Sequence, residues 1–91
     1  MNEERRFEAV VTDIQLRSQT GTEAIWWMSL SQTDFQEGDE GVLEAFTRSG
    51  TRLEIPVKFV VAGKEGVLWH VVEKPLAAGT DVRGRVHGAS A

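Results

Sequence analysis

Arg52-Leu53-Glu54-Ile55-Pro56-Val57-Lys58-Phe59-Val60-Val61 is the stretch that decides the fold class. Leu53, Ile55, Val57, Phe59 and Val61 take alternate positions, with Arg52, Glu54, Pro56 and Lys58 between them. A period of two describes a strand with one apolar face and excludes a helical stripe. Pro56 has no N–H for a ladder, so this strand is expected to have an open edge at that position.

The same period recurs outward along the chain. In residues 81–87, Val82, Gly84 and Val86 point one way while Asp81, Arg83, Arg85 and His87 point the other. Gly84 in the middle predicts a close backbone approach or a sharp bend. In residues 6–16, Phe7, Ala9 and Val11 share one face and Val10, Ile14 and Leu16 the other. That change of side near Thr12-Asp13 predicts a bulge, or a long strand passing from one sheet into another. Further strands are expected over residues 23–30, 41–48 and 66–73.

Turns punctuate these runs. Ser18-Gln19-Thr20-Gly21, Ser49-Gly50 and Ala62-Gly63-Lys64-Glu65-Gly66 read as hairpin connections. Ser31 with Asp34 three residues on, followed by Gly38, predicts one short helix over residues 32–37. Residues 74–80, with Pro75 and Gly79, read as a loop, and the tail from His87 to Ala91 as frayed. The expected fold is all-β: a small six-stranded antiparallel barrel or sandwich, with one short helix between strands 2 and 3. The bending supplied by the first strand and by Gly84 favours the barrel.

Ninety-one residues make a single domain with one modest core. The chain has no cysteine, so neither a disulfide nor a thiolate metal site is available to it. Its start carries no apolar run of the signal-peptide kind, and no stretch approaches the roughly 20 apolar residues of a membrane span. A cytoplasmic location is the expectation. The net charge of −4 is unevenly distributed: residues 1–45 carry −7 and residues 46–91 carry +3. The reading favoured is that acidic and basic strands interleave in one sheet; the alternative is a molecule with a charge dipole that docks head to tail.

Little in the chain points to catalysis. His70 and His87 stand outside any nucleophile motif, and their spacing is not that of metal ligands. His70 reads as a half-buried strand histidine with a hydrogen-bonded nitrogen. The run from Asp34 to Gly41 lacks the alternating ligands and the closing glutamate of a calcium loop. The glycines fall in turns, not ahead of helices. No enzyme, no metal and no cofactor is expected.

Trp26-Trp27 carries the one functional hint. Neighbouring strand residues face opposite ways, so both indoles cannot enter one core. Ala24, Trp26, Met28 and Leu30 share one face; Ile25 and Trp27 share the other. The leading expectation is a non-enzymatic binding or assembly module that forms a homo-oligomer or docks a protein partner through an exposed aromatic face, with Ile25 and Trp27 as anchors. The competing structural expectation is that the short helix near Phe35, or the N-terminal arm, covers the second indole. An alternative is a small-molecule pocket in the barrel mouth, with Trp26 or Trp69 as a wall and His70 or Arg83 as polar contacts. A third is single-stranded nucleic-acid binding, with Arg83, Arg85 and His87 on one strand face and Trp27 as a stacking platform. The acidic balance of the chain argues against that last reading.

Arg5-Arg6 ahead of the first strand, and a later strand ending in Trp69, resemble the PilZ domains, small barrels that bind cyclic dinucleotides. That family places a second arginine four residues after the first; here those positions are Ala9 and Val10. Its Asp-x-Ser-x-x-Gly element has Met28-Ser29-Leu30-Ser31 as the nearest counterpart, without the acid or the glycine. Arg6-Phe7-Glu8-Ala9-Val10 and Gly79-Thr80-Asp81-Val82-Arg83-Gly84 resemble pieces of the β-barrel domains of translation factors. Neither resemblance carries ligand residues into this chain.

Overall fold

The computed structural model describes residues 5–46 and 49–87. It is an antiparallel all-β protein of seven strands: β1 Arg5–Thr20, β2 Glu23–Leu30, β3 Gly41–Phe46, β4 Arg52–Val57, β5 Phe59–Ala62, β6 Leu68–Val72 and β7 Asp81–Val86. They form one curled, barrel-like sheet in the order β4-β3-β7-β1-β2-β6-β5. The two edge strands, β4 and β5, are consecutive in sequence with only Lys58 between them.

The stretch expected as one strand is therefore two. Lys58 leaves β4, and its N–H bonds to the Val71 carbonyl at 2.9 Å, which starts the pairing of β5 with β6. The break also reverses the alternation. Ile55 and Val57 are buried before it; Val60 is buried after it, and Phe59 is 48% exposed. Phe59 and Val61 thus leave the core side that an unbroken period of two assigns them. Counted this way the expected six strands become seven.

β1 is longer than its sequence pattern implies. Its residues 5–10 pair with β7, and residues 11–20 pair with β2. The register with β2 shifts between Val11 and Asp13 and again between Leu16 and Ser18. The first shift falls where the apolar set changes sides, as a bulge requires.

The core is one cluster that includes Val11, Met28, Phe35, Leu43, Val57, Val60, Val72 and Val86. Each such side chain taken fully from water contributes about 1.5–3 kcal/mol before entropy is counted. Gly84 faces Phe7 across the β1–β7 pair, and a Cβ there would collide with the Phe7 ring. The close approach is real: the glycine gives the aromatic ring its space.

The expected helix between the second and third strands does not form. Residues 31–40 are an irregular loop. Their polar side chains answer the backbone groups that helical bonds would otherwise satisfy. Thr33 Oγ1 accepts from the Phe35 N–H at 3.0 Å, and Asp39 Oδ2 accepts from the Gln36 N–H at 2.8 Å. Ser31 caps no helix; its backbone N–H bonds to the Val10 carbonyl and its Oγ accepts from the Val10 N–H. The loop delivers Phe35 into the core, 1% exposed, edge-on to Phe7 and His70. The only helical turn among the described residues is a 3-10 turn at Lys64–Gly66, within the expected hairpin, where Glu65 adopts a left-handed φ of 59°. The tail from residue 88 onward and the end of the third strand at residues 47–48 lie outside the described residues.

Candidate functional site: the aromatic outer face

Directly opposite residues on antiparallel strands share a face. Four strands therefore place Gln15, Trp27, Val71 and Phe59 in one row on the outside of the sheet. Trp69 and Val61 form the next rung on the same face, and Ile25 lies two residues from Trp27 on β2. The Trp27 and Trp69 rings lie diagonally, with centroids 6.3 Å apart and planes tilted by 35°. The Arg17 guanidinium sits over the Trp27 ring, 4.1 Å from its centroid. Arg17 is the extra residue at the second β1 register shift, and its Nη1 donates to Gln15 Oε1 at 3.3 Å.

Gly63 fixes the pose of Trp69. A Cβ at that glycine would meet the indole Nε1 at 2.6 Å. The ring lies across bare backbone at the start of the turn that joins β5 to β6. Ile25, Trp27, Trp69, Val61 and Val71 are each half-buried, while Phe59 is exposed. The cover over Trp27 within the chain thus comes from Trp69 and Arg17, not from Phe35, which points into the core.

Trp26 and His70 lie on the opposite, inner face. Met28, His70 and Val60 make one interior row, each wholly buried. The Met28 carbonyl can only accept, so His70 Nδ1 carries the proton and donates to it at 2.8 Å. Nε2 then accepts from the Thr33 hydroxyl at 2.9 Å, and that hydroxyl accepts from Phe35 N–H. Both ring nitrogens are used: Nδ1 ties β6 to β2, and Nε2 ties the 31–40 loop to β6. Desolvation lowers the His70 pKa from its ordinary 6.5, and the hydrogen bond to Met28 opposes that shift only in part.

Arg83 and Arg85 belong to a third place, the outer face of β7, β3 and β4. Glu8, Arg83, Glu44 and Glu54 make one row there. Arg85 Nε lies 3.0 Å from Glu44 Oε1 without hydrogen-bond alignment, so that contact is coulombic. Arg52 bridges the other Glu44 oxygen at 3.3 Å and Glu54 at 2.9 Å, and Arg85 reaches Glu54 at 3.6 Å. Two acids and two guanidinium groups close into a ring. Arg83 pairs with Glu8 at 3.6 Å and stands 5.6 Å over Phe46. Acidic N-terminal strands and basic C-terminal strands thus interleave in the sheet. An open groove of about 440 Å³ lies beside them, bounded by Glu8, Ala9, Phe46, Asp81, Val82 and Arg83.

The structure therefore sorts the seven residues singled out by sequence. Ile25, Trp27 and Trp69 come together outside; Trp26 and His70 line the interior; Arg83 and Arg85 lie in the charged lattice. Trp26, Trp69, His70 and Arg83 do not converge on one pocket. Phe59, Val61 and Arg17 join the aromatic face without a sequence signal of their own, because Lys58 and the Arg17 bulge reset the alternation that would have revealed them; Val71 follows Trp69 by two residues on β6 and so shares its face. No group of three or more His, Asp or Glu side chains with metal-binding proximity occurs among the described residues. Among them, too, no helix is long and apolar enough to cross a membrane. No family model, curated protein or solved structure matches the chain.

Proposed function

We propose that this protein is a non-enzymatic assembly module that docks a protein surface, its own second copy in the first instance, through the outer face of β1, β2, β6 and β5. The observation that supports the reading is the Trp27–Trp69 pair at 6.3 Å, flanked by Ile25, Val71 and an exposed Phe59. Contiguous apolar surface with an aromatic centre is the composition of interaction sites. Such side chains cost little entropy to immobilise on binding, because strand packing already restricts them.

The other two readings draw less support. A phosphate-binding stripe needs uncommitted cations, yet Arg52, Arg83 and Arg85 face Glu8, Glu44 and Glu54, and Lys58 faces Glu73 at 3.2 Å. A small-molecule pocket needs enclosure, and the Trp-bearing face is the outside of a curled sheet. Sedimentation of the parent beside Trp27→Ala tests the proposal. The parent is expected to associate with rising concentration, and the variant to associate about thirtyfold more weakly, the loss typical of a central tryptophan. A parent that stays monomeric throughout, or a variant that associates equally well, overturns it.

A further inference from the structure

The first hairpin projects beyond the rest of the sheet. β1 has β7 beside it only along residues 5–10, and β6 reaches only residues 26–28 of β2. Residues 18–20 and 23–25 therefore stand as a two-stranded tip closed by Gly21 at φ 61°. On the side of β1 away from β2, the Thr80 carbonyl and the Gly79 N–H answer Val11. From residue 13 to residue 20 no described strand pairs with that side. An extended edge of this length is a template for another strand.

Sequence on this edge is self-complementary in one antiparallel register. A two-fold axis at Gln15 sets Gln15 opposite its own copy, Ile14 opposite the second copy's Leu16, and Asp13 opposite the second copy's Arg17. Gln15 and Arg17 point to the outer face; Asp13 Oδ1 accepts from the Ile14 N–H at 2.8 Å, a bond that the pairing exchanges for one to the second copy, which frees the carboxylate to turn to Arg17. Ile14 and Leu16 point to the inner side, where Ile14 packs on the core and Leu16 is 47% exposed. Moving the axis to Ile14 sets Leu16 against Thr12; moving it to Leu16 sets Asp13 against Gln19 and Ile14 against Ser18. Only the Gln15 axis pairs apolar with apolar and acid with base. A shift by one residue is forbidden, because it would oppose outer side chains to inner ones.

We infer that two copies of this chain pair edge to edge through residues 12–18 of β1, antiparallel about Gln15. The sheet then runs from β6 and β2 of one copy through both β1 strands into β2 and β6 of the other. Leu16 loses its exposure to Ile14 of the second copy. Both Arg17–Trp27 stacks fall on the same outer surface, so the aromatic faces of the two copies become one. This inference rests on the self-assembly reading and adds a second contact to it: the edge joins two copies side by side, and their merged aromatic face docks a further pair.

The chain contains no cysteine, so a single introduced thiol reports its own neighbour. Directly opposite Cα atoms in an antiparallel pair lie about 4.5–5.5 Å apart, within disulfide range. In this register the two Thr20 positions lie roughly 33 Å apart. Gln15→Cys with oxidised glutathione as electron acceptor is expected to give disulfide-linked dimer at least tenfold faster than Thr20→Cys under the same conditions. Asp13→Arg and Arg17→Asp are each expected to weaken the dimer about fivefold, and the double variant to restore it, since each pair occurs twice about the axis. A parent that sediments as a monomer overturns both this inference and the assembly reading. A parent dimer in which the two cysteine variants cross-link alike, or in which the charge swap fails to restore association, overturns the edge pairing and leaves docking through the aromatic face standing.

Discussion

Glu8, Arg83, Glu44 and Glu54 make one row across the outside of the sheet; Gln15, Trp27, Val71 and Phe59 make another. The rows use the same pleat and the same antiparallel pairing, and β1 runs through both. In the first, charge answers charge inside the chain. Glu44 and Glu54 stand directly opposite each other, a repulsive arrangement that Arg52 and Arg85 reverse by bridging both. In the second, apolar groups stack on one another and on a single cation, Arg17, and Phe59 keeps about half its surface in water. A row whose interactions close internally has little to offer a partner. A row of apolar side chains that ends in exposed surface gains free energy whenever a second surface covers it.

Substitutions can break or sharpen this contrast. The largest effect is expected from Phe35→Ala, beneath both rows. It removes a wholly buried ring that touches Phe7 on β1 and His70 on β6, at a cost of about 3–5 kcal/mol in urea unfolding. Because the core is shared, both halves should unfold in one transition; a loss under about 1 kcal/mol would mean that the loop does not close the core. Next comes Trp27→Ala, expected to weaken association by about 2 kcal/mol, against Arg83→Ala, which should leave association unchanged. Equal losses from the two would erase the distinction between the faces.

A smaller effect concerns pH. His70 is held neutral by burial, so its folded pKa lies below the ordinary 6.5. The unfolded chain then binds the extra proton first. The stability that depends on neutral His70 is complete above about pH 6.5 and is lost as the pH falls through the lowered folded value, by at most about 1.4 kcal/mol per pH unit for one proton. Urea midpoints measured from pH 7.5 to 5 should therefore fall more steeply in the parent than in His70→Gln, and parallel curves would contradict the buried neutral imidazole. The smallest effect belongs to Glu8→Gln in the charged row. The pair with Arg83 is long, at 3.6 Å, and exposed on both sides, so stability should stay within about 0.5 kcal/mol and association should not move. A larger change would give the charged row a share in docking that its closed ion pairs deny it.

Much of the fold is legible in the sequence because alternation reports which face a strand buries. Residues 23–30 form a strand with the bounds that Ala24, Trp26, Met28 and Leu30 define. The side change near Thr12 is the bulge, and Gly84 is the close approach. The divergence of Trp26 and Trp27 follows from the same geometry. What alternation misses lies where the backbone leaves the pleat. Lys58 interrupts what reads as one strand and moves Phe59 and Val61 outward. The 31–40 loop carries helix-capping residues, yet Thr33 and Asp39 spend their side chains on loop backbone so that Phe35 can enter the core. The meeting of Trp27 with Trp69 depends on which strands are neighbours, and β2 beside β6 is a long-range pairing that no local pattern encodes.

On the proposed reading, one half of the outer surface docks a partner and the other does not. A dilution series of amide and indole N–H spectra tests it most directly. The resonances of Ile25, Trp27, Trp69 and Val71 are expected to shift with concentration while those of Val42, Glu44, Arg83 and Arg85 stay fixed. Spectra that do not change with concentration, or shifts confined to the charged row, would contradict it.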